Sequence, residues 1–459
     1  MNEFTKYYFL GIGGIGMSAL ARYFRAKEFN VAGYDKTETK LTSELQAEGI
    51  KICFDESMQN IPAEFLNPHN TLVVLTPAIP TDNKQLKYFQ ENQFTIKKRA
   101  QVLGNITKQS KGICIAGTHG KTTTSTITAH LLYQSQVSCN AFLGGISNNY
   151  NTNLLISPES NFVVIEADEY DRSFHNLSPY MAVITSVDPD HLDIYETPEA
   201  FRESFEHFTT LIRPGGALIM RKGLPIIPNL NKTVKLYTYS MNDGGDFFAE
   251  NIRYEKDEIR FDFVTPTERI NDVRLRIPIR INVENSVAAM AIAWLNGVTT
   301  EEIRTGISSY SGIYRRFNIV FKSDKIVYMD DYAHHPSELK ASISSIREMF
   351  PGRKITGIFQ PHLYSRTRDF APDFAEALSG LDELILLDIY PARELPIEGV
   401  NSGLILNDVK LKNKTLCSSE NLLSLLIEKK IDVLVTFGAG DIDKLVPKIK
   451  NQLKKMLPI

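Results

Sequence analysis

The sequence contains few of the residues from which disulfide frameworks are built. It has only four cysteines among 459 residues, Cys53, Cys114, Cys139 and Cys417, and none of them forms a C-x-x-C pair. Two of them, Cys114 and Cys139, lie among apolar or small residues. This usage is typical of reduced thiols in a reducing compartment.

Long apolar runs and an excess of one charge are missing as well. No run of about 18 or more apolar residues occurs, which excludes a membrane-spanning helix. Residues 1–6 carry charge without the apolar core of a signal peptide. The net charge of −3 gives no basic field, so nucleic acid is not an expected partner. We therefore expect a cytoplasmic protein without integral membrane contact, whose oligomeric state the composition does not determine.

The sequence does have the composition of an ordinary globular protein, with 43% hydrophobic and 23% charged residues. At roughly 100–200 residues per domain, the length predicts about three domains. Apolar strand-like runs such as residues 7–10, 113–116 and 181–184 alternate with helix-like stretches, which predicts parallel α/β layers. Residues 235–280 alternate short β-like runs with turns, and we interpret this segment as a small antiparallel patch. The predicted domains cover residues 1–107, 108–312 and 313–459.

A first glycine cluster, residues 11–16, follows a predicted strand and opens a helix. It fits G-x-G-x-x-G, and Asp35 ends the next predicted strand about 20 residues later. Such glycines let the backbone approach a phosphate, whose charge faces the helix N-terminus. Alone, the pattern is typical of a nicotinamide dehydrogenase, and a tight turn without a ligand is the alternative.

A second glycine loop, residues 117–124, also follows a strand and reads Gly-Thr-His-Gly-Lys-Thr-Thr-Thr. Its backbone N–H groups can hold phosphates, Lys121 can reach the terminal ones, and the Thr122 hydroxyl can bind Mg²⁺. The loop is shorter than the usual phosphate loop, because Ile115 stands where the first glycine belongs. We interpret it as a nucleotide phosphate site rather than a chance turn.

Two acidic segments follow later strands of the same predicted domain. Residues 166–171 place carboxylates next to a phosphate loop, which favours Mg²⁺ held together with substrate phosphates over a solvated acidic turn. His191, within residues 188–193, is either a ligand or a satisfied polar residue. Its place at another strand end favours function.

Two further polar segments lie in the third predicted domain. Residues 330–336 place two histidines beside two acids, but neighbouring side chains diverge, and we interpret them as substrate-positioning groups rather than zinc ligands. Residues 359–368 form a basic loop after a strand, which suits a carboxylate or phosphate.

In this order the motifs resemble those of the Mur ligases, which add amino acids to the peptidoglycan precursor. The resemblance covers nearly the whole chain and fits the member that joins L-alanine to UDP-N-acetylmuramate. It is carried by residues 11–17, 117–124, 166–169 and 190–193, by Asn282 with Asn285, by residues 315–317, and by residues 331–336, 359–362 and 390–394.

The resemblance implies an α/β protein of three domains. A Rossmann-like N-terminal domain would bind the UDP-sugar, a central P-loop ATPase-like domain would bind ATP, and a C-terminal Rossmann-like α/β domain would complete the ATP and amino-acid sites. The implied reaction is ATP-dependent: the lactyl carboxylate becomes an acyl phosphate, which the amine of L-alanine attacks, leaving UDP-N-acetylmuramoyl-L-alanine, ADP and phosphate.

The resemblance also assigns roles to individual residues. Catalytic roles fall on Lys121, Glu166, His191, Arg316 and His335. The implied ATP contacts are Gly117, Thr118, His119, Gly120, Lys121, Thr122, Thr123, Asn282, Asn285, Arg316 and Asp331. The implied UDP-sugar contacts are Gly11, Gly13, Gly14, Ile15, Gly16, Met17 and Asp35. Thr122, Glu166 and His191 would hold Mg²⁺, and His335 and Arg366 would lie near the amino acid.

The chain departs from the family pattern at two of these loops. Ile281 stands where the family has a histidine beside the adenine site, and Leu363 stands where it has an arginine near the amino acid.

Three other functions remain open. One alternative is the sister ligase that attaches a recycled murein tripeptide to the same sugar nucleotide. The others are an NAD-dependent oxidoreductase and a nucleotide-gated binding protein without chemistry.

Overall fold

The computed structural model describes residues 4–255, 258–392 and 394–456. Arg393, which belongs to the 390–394 motif, lies outside the described residues, as do the side chains of Leu192 and Asp193. The chain forms two compact units. The first is Met1–Ile277 with Asn282–Ser311, and the second is Pro278–Ile281 with Gly312–Ile459.

Strands and helices alternate along most of the chain. The strands are β1 (Lys6–Leu10), β2 (Asn30–Tyr34), β3 (Lys51–Cys53), β4 (Thr71–Leu75), β5 (Thr95–Lys98), β6 (Lys111–Ala116), β7 (Asn140–Ser147), β8 (Thr152–Leu155), β9 (Phe162–Glu166), β10 (Met181–Ile184), β11 (Ala217–Arg221), β12 (Lys235–Tyr239), β13 (Phe248–Tyr254), β14 (Ile259–Val264), β15 (Arg269–Leu275), β16 (Asn318–Lys322), β17 (Val327–Asp331), β18 (Ile355–Phe359), β19 (Glu383–Leu386), β20 (Lys414–Leu416) and β21 (Val433–Phe437).

The helices fill most of the connections between these strands. They are α1 (Ile15–Ala26), α2 (Lys40–Ala47), α3 (Lys84–Glu91), α4 (Arg99–Gln109), α5 (Lys121–Tyr133), α6 (Leu192–Tyr195), α7 (Pro198–Thr210), α8 (Arg280–Leu295), α9 (Thr300–Ser309), α10 (Pro336–Met349), α11 (Tyr364–Asp369), α12 (Ala371–Leu378), α13 (Gly403–Asp408), α14 (Leu422–Ile427) and α15 (Val446–Lys455). No helix in the described part of the chain is both long and apolar enough to cross a membrane.

The first unit contains a parallel five-stranded sheet in the order β3-β2-β1-β4-β5. Its strand order reverses between β1 and β4, and open α/β sheets bind ligands beside such a reversal, at the carboxyl ends of the strands. Residues 11–14, which follow β1, lie at that edge, because Leu10 at the end of β1 pairs with Tyr34 on one side and Leu75 on the other.

A second sheet of the same unit has the order β12-β11-β10-β6-β9-β7-β8, and only the β7–β8 pair is antiparallel. Its inner strands are short apolar runs, as expected for parallel strands covered on both faces. The prediction that residues 235–239 belong to the antiparallel patch is wrong, because they form β12 and extend this sheet in parallel to β11. The antiparallel patch itself consists of β13, β14 and β15.

One apolar core joins the first two sheets. It runs from Tyr7 and Phe24 to Phe142 and Ile165, all of which are buried. The amide of Asn153 on β8 strengthens this junction, since it donates to the Ile15 carbonyl over 2.6 Å and to the Ser18 hydroxyl over 2.9 Å. The start of α1 is thereby fixed against the second sheet.

The second unit is a six-stranded sheet in the order β16-β17-β21-β18-β19-β20. All neighbours are parallel except β16 and β17. Helix α10 begins with proline at its first positions and has Glu338 in its first turn, both favourable at a helix N-terminus. The loops after β17 and β18 start at the same edge of this sheet, because Asp331 and Phe359 both pair with Phe437.

Candidate active site

Three loops of the first unit meet at the carboxyl edge of the second sheet. Strand β6 lies between β9 and β10, and Ile115 pairs with Glu166 while Ala116 pairs with Ile184. The loop at residues 117–120, the acidic segment after Glu166 and the segment that contains His191 therefore begin side by side. The sequence predicts these loops separately, and the sheet order brings their starting points together.

The glycines of the 117–120 loop are required by backbone and by space. Gly117 has φ +136° and Gly120 has φ +82°, which other residues rarely adopt. A Cβ on Gly117 would lie 2.0 Å from the Thr185 hydroxyl, and one on Gly120 would lie 2.7 Å from the Asn285 amide oxygen. The loop backbone is thus packed directly against its neighbours.

Hydrogen bonds to the segment after β10 hold this loop in place. The His119 amide donates to the Ser186 hydroxyl over 2.8 Å, and the Thr118 hydroxyl donates to the Asp188 carbonyl over 2.6 Å. Helix α5 then starts at Lys121, and no side chain caps its N-terminus at Gly120. A helix N-terminus of this kind favours an anion, since its first N–H groups and the helix dipole both face the ligand.

Lys121 points back into the loop that precedes it. Its ammonium group donates to the Gly117 carbonyl over 2.6 Å and to the Thr118 carbonyl over 3.4 Å. It also pairs with the Glu169 carboxylate over 2.7 Å. The ammonium is therefore placed within the loop that would hold the phosphates.

Glu166 ends β9 with a carboxylate oxygen, Oε2, that is buried and has no hydrogen-bond partner in the described structure. Gly144 on β7 leaves room for it, because a Cβ there would lie 2.0 Å from that oxygen. A buried carboxylate oxygen without a partner is costly unless a cation or a proton donor joins it.

His191 has a left-handed backbone with φ +53°, and its ring lies 5.1 Å from the ring of Tyr170. The segment after it is tied to the acidic segment, because the Tyr195 hydroxyl donates to the Glu169 carbonyl over 2.5 Å. His191 and Glu166 thus belong to two connected loops at one sheet edge.

The chemistry of these side chains fits Mg²⁺. The predicted ligands are the Thr122 hydroxyl, the Glu166 carboxylate and the His191 imidazole, and the unpartnered oxygen of Glu166 is the observation that favours a cation. No group of three or more His, Cys, Asp or Glu side chains suited to a metal occurs among the described residues. Mg²⁺ in proteins keeps several waters and uses one or two carboxylates together with substrate phosphates, a role that the Glu166 carboxylate suits.

The glycine cluster after β1 is held by Asp35. The Gly13 amide donates to the Asp35 carboxylate over 2.8 Å, and the Thr37 amide donates to the same carboxylate over 3.1 Å. Gly11 has φ +87° and lies so near Thr76 that a Cβ would approach its methyl group to 2.5 Å. Gly14 is the N-cap of α1 and makes no side-chain cap bond, which leaves the helix N-terminus open to an anion.

A cavity of about 290 Å³ connects this glycine cluster to Glu166. It is lined on one side by residues 14–17, which include Ile15, Gly16 and Met17, and on the other by Gly144, Glu166 and Asp168. Arg99 also lines it: a Cβ on Gly16 would lie 2.5 Å from the Arg99 guanidinium, which donates to Asp168 over 3.2 Å. The cavity is large enough for part of a sugar nucleotide and ends at the predicted metal ligand.

Asn282 and Asn285 lie on α8, are buried, and bond to each other over 3.4 Å. Asn285 also accepts a hydrogen bond from the Thr124 hydroxyl over 3.2 Å. Asn285 therefore supports the phosphate loop, in addition to any contact with the nucleotide. Ile281, which replaces the expected histidine, is exposed.

In the second unit, Asp331 is buried and accepts hydrogen bonds from the amides of Phe317, at 3.0 Å, and Ala333, at 2.8 Å. Burial raises the pKa of its carboxyl group, although these two amides oppose the rise. Arg315 is buried and pairs with Asp330 over 3.5 Å, whereas Arg316 beside it is exposed. Arg315 is thus occupied within the unit, and Arg316 is the one accessible to a ligand.

The loops after β17 and β18 form a second polar cluster. The Glu338 carboxylate accepts the amides of His334, at 2.9 Å, and His335, at 3.1 Å. Burial opposes ionisation of Glu338, but its charged neighbours and these amides hold its pKa below the usual value. The His335 ring bonds to the Ser337 hydroxyl over 2.9 Å.

Two buried polar atoms of this cluster have no hydrogen-bond partner among the described residues. They are Nδ1 of His362 and one terminal nitrogen of Arg366. Burial and the nearby Arg366 charge lower the pKa of His362 to about 4, so the ring is neutral near pH 7. A cation and a neutral imidazole that each have an unpartnered buried nitrogen suit a small carboxylate ligand. Leu363, with φ +72°, replaces the arginine that the family pattern has there.

Sequence reasoning missed three of these residues. Arg99 belongs to no motif, and its role follows only from its contacts with Gly16 and Asp168 across the cavity. Glu169 was part of the acidic motif but received no role, and its pairing with Lys121 depends on the neighbouring strands. Gly144 carries no chemistry, and only the structure shows that its missing side chain makes room for Glu166.

Family comparisons agree with the order of these sites. Residues 6–111 match the Mur ligase family catalytic domain, residues 115–293 the Mur ligase middle domain, and residues 315–440 the Mur ligase glutamate ligase domain. The chain belongs to the Mur ligase family. It is therefore an ATP-dependent, amide-forming ligase.

Individual relatives within the family are similar over nearly the full length of the chain. The chain is 58% identical to UDP-N-acetylmuramate–L-alanine ligase of Parabacteroides distasonis, covering 100% of this chain and 99% of the relative. It is 56% identical to the ligase of the same name from Porphyromonas gingivalis, covering 98% and 99%. The structure resembles UDP-N-acetylmuramate-alanine ligase of Thermotoga maritima with a TM-score of 0.82 at 26% identity, covering 98% and 100%. A murein peptide ligase of Psychrobacter arcticus shares the fold with a TM-score of 0.70 at 20% identity.

Proposed function

We propose that the protein joins L-alanine to the lactyl carboxylate of UDP-N-acetylmuramate, with ATP as the energy source. The single observation that carries this proposal is the full-length similarity to ligases of that name, at 58% identity over 457 residues. The predicted sites support the proposal. Glu166 lines the cavity that begins at the glycine cluster after β1, and it pairs with Ile115, just before the phosphate loop.

In the proposed reaction, the lactyl carboxylate attacks the γ-phosphorus of ATP and ADP leaves. The neutral amine of L-alanine then attacks the acyl carbon, phosphate leaves, the nitrogen releases a proton, and an amide remains. The loop at residues 117–120 and the N-terminus of α5 bind the phosphates, and Lys121 offsets the charge on the transferred group. Most of the acceleration comes from holding three substrates in position.

Thr122, Glu166 and His191 are the proposed Mg²⁺ ligands. When bound, Mg²⁺ supplies positive charge to the phosphate oxygens and orients them. The chain itself keeps the Glu166 carboxylate at the end of β9, where Gly144 leaves space for it.

The cavity between residues 14–17 and Glu166 is the proposed site of the sugar nucleotide. The pyrophosphate would lie at the N-terminus of α1, near Arg99, and the lactyl group would point toward Glu166. The Asp35 carboxylate accepts a hydrogen bond from the Gly13 amide and so fixes the backbone of the glycine cluster. Arg99 supplies the positive charge that the glycine cluster itself lacks.

The second unit is proposed to complete the ATP and amino-acid sites. Arg316 is exposed and Asp331 is buried beside it. His335 and Arg366 belong to the polar cluster whose unpartnered nitrogens suit the carboxylate of an amino acid. We propose three domains, residues 1–107, 108–312 and 313–459, for UDP-sugar, ATP and amino-acid binding respectively.

An isotope experiment tests this mechanism. UDP-N-acetylmuramate labelled with ¹⁸O in its lactyl carboxylate is incubated with ATP, Mg²⁺, L-alanine and the protein. If the carboxylate is activated as an acyl phosphate, one ¹⁸O atom per turnover appears in inorganic phosphate. Formation of the amide without ¹⁸O in phosphate would contradict the acyl phosphate route, and absence of the amide would contradict the proposed function.

A further inference from the structure

The Lys121 ammonium has no donor left for a nucleotide. An ammonium group carries three N–H donors. The described contacts provide three acceptors: the Gly117 carbonyl at 2.6 Å, the Thr118 carbonyl at 3.4 Å and the Glu169 carboxylate at 2.7 Å. A phosphate oxygen can bind Lys121 only if at least one of these contacts is given up.

Glu169 is the only charged acceptor of the three. Its side chain is 2% exposed, and the Lys121 side chain is 14% exposed. The second carboxylate oxygen of Glu169 is buried and has no hydrogen-bond partner in the described part of the chain. Lys121 therefore stabilises the charged form of this carboxylate, since burial raises the pKa of Glu169 and Lys121 opposes that rise.

Glu169 is not free to follow Lys121 toward a ligand. Its carbonyl accepts the Tyr195 hydroxyl over 2.5 Å. The two flanking acids are also held, Asp168 by Arg99 over 3.2 Å and Asp171 by Lys98 over 2.8 Å. The segment is anchored on both sides, so the flexible partner of the pair is the lysine.

We propose that Glu169 is a positioning residue that competes with the nucleotide for Lys121. ATP binding transfers the Lys121 ammonium from the Glu169 carboxylate to a phosphate oxygen, and the ion pair forms again when the nucleotide leaves. Glu169 thereby holds Lys121 ready in the loop and lowers the affinity for ATP. This inference rests on the proposed function only in taking Lys121 as a phosphate ligand.

The test uses Glu169→Gln in the full-length protein, because glutamine keeps the shape and removes the charge. ATP affinity is measured calorimetrically with Mg²⁺ present. Loss of a charge-assisted hydrogen bond from the free protein predicts ATP binding that is about 10- to 150-fold tighter. The KM for ATP falls in parallel, while kcat does not rise. A purely structural role would lower the melting temperature without any gain in affinity.

Glu159→Gln is the matched control, since Glu159 is an exposed acid of the same unit, in the turn between β8 and β9 and outside the candidate site. The ATP affinity of this variant equals that of the wild type. Glu169→Asp provides a second variant, in which the shorter side chain weakens the pair and predicts a smaller gain, even if Glu169→Gln does not fold. Unchanged or weaker ATP binding by the folded variants overturns the role of Glu169. Failure of the wild type to bind ATP overturns the proposed function instead.

Discussion

The Arg99 guanidinium donates a hydrogen bond to the Asp168 carboxylate over 3.2 Å, although 69 positions separate the two residues. Arg99 begins α4, directly after the first sheet, and Asp168 follows β9 of the second sheet. Because Arg99 also lies against Gly16, this contact joins the glycine cluster to the acidic segment that contains the predicted metal ligand.

Substitution of Arg99 tests whether the cavity binds the sugar nucleotide. Arg99→Gln is expected to raise the KM for UDP-N-acetylmuramate about tenfold, since a charge-assisted contact to an anion is lost, and to leave the KM for ATP within about twofold. Steady-state kinetics with each substrate varied measures both. Arg25→Gln, at an exposed arginine in the last turn of α1, is the control. An equal rise in the KM for ATP would mean that Arg99 acts through the acidic segment instead.

The space that Gly144 leaves for Glu166 is open to a direct test. In Gly144→Ala the added Cβ would lie 2.0 Å from Glu166 Oε2, so the carboxylate must move. A shift of about 1 Å in a positioned group can reduce turnover about a hundredfold, and we expect a loss of kcat of that size. In the control, Gly380→Ala, the added Cβ meets nothing nearer than 3.2 Å, and turnover should stay near the wild-type value. If Gly144→Ala and Gly380→Ala turned over equally fast, Glu166 would have no role in the reaction.

The pair of Lys121 and Glu169 also predicts a stability effect. Lys121→Met leaves the Glu169 carboxylate buried without its partner, which should lower the free energy of unfolding by about 3 kcal/mol. Lys121→Met combined with Glu169→Gln should recover most of that loss, because no charge remains to be compensated. Denaturant unfolding of the wild type, Lys121→Met, Glu169→Gln and the double variant measures the coupling. If the double variant is no more stable than Lys121→Met, the carboxylate does not depend on Lys121.

His130, inside α5, predicts a pH dependence of stability. Burial lowers its pKa from 6.5 to about 4, and its ring bonds to Tyr150 over 2.8 Å and to Ser309 over 3.0 Å. The unfolded chain binds a proton near pH 6.5, but the folded chain binds it only near pH 4. The stability that the neutral His130 ring contributes is therefore fully present above pH 6.5 and is lost as the pH falls toward 4.

His130→Gln, which cannot take up that proton, isolates this contribution. One titrating group changes the free energy of unfolding by about 1.4 kcal/mol per pH unit between the two pKa values. Between pH 6.5 and 4, the variant should therefore lose less stability than the wild type does, by about 3 kcal/mol. Chemical denaturation at half-unit pH steps measures the two curves. Parallel curves would show that the folded protein protonates His130 normally.

Much of this site is predictable from the sequence because the informative residues are neighbours in the chain. The glycine loops, Lys121 and Glu166 belong to motifs that lie directly after apolar strands, and parallel sheets present such loops at one edge. The ligase family and the α/β class predicted from these motifs are confirmed. The roles of the individual residues stay predictions.

The rest depends on contacts between distant parts of the chain. The contact of Arg99 with Asp168 and that of Lys121 with Glu169 join residues 69 and 48 positions apart, so no local pattern encodes them. Strand β12 was assigned to the antiparallel patch because a short alternating run does not reveal its partner. Strand β12 pairs with β11, and that pairing depends on the edge of the second sheet, which distant parts of the chain form.

The choice of amino donor tests the central claim most directly. Phosphate release is measured with ATP, Mg²⁺ and UDP-N-acetylmuramate, in the presence of either L-alanine or the tripeptide L-Ala-γ-D-Glu-meso-diaminopimelate. Our account predicts release that depends on L-alanine, with formation of UDP-N-acetylmuramoyl-L-alanine. Release only with the tripeptide would contradict it and assign the protein to the attachment of recycled murein peptide.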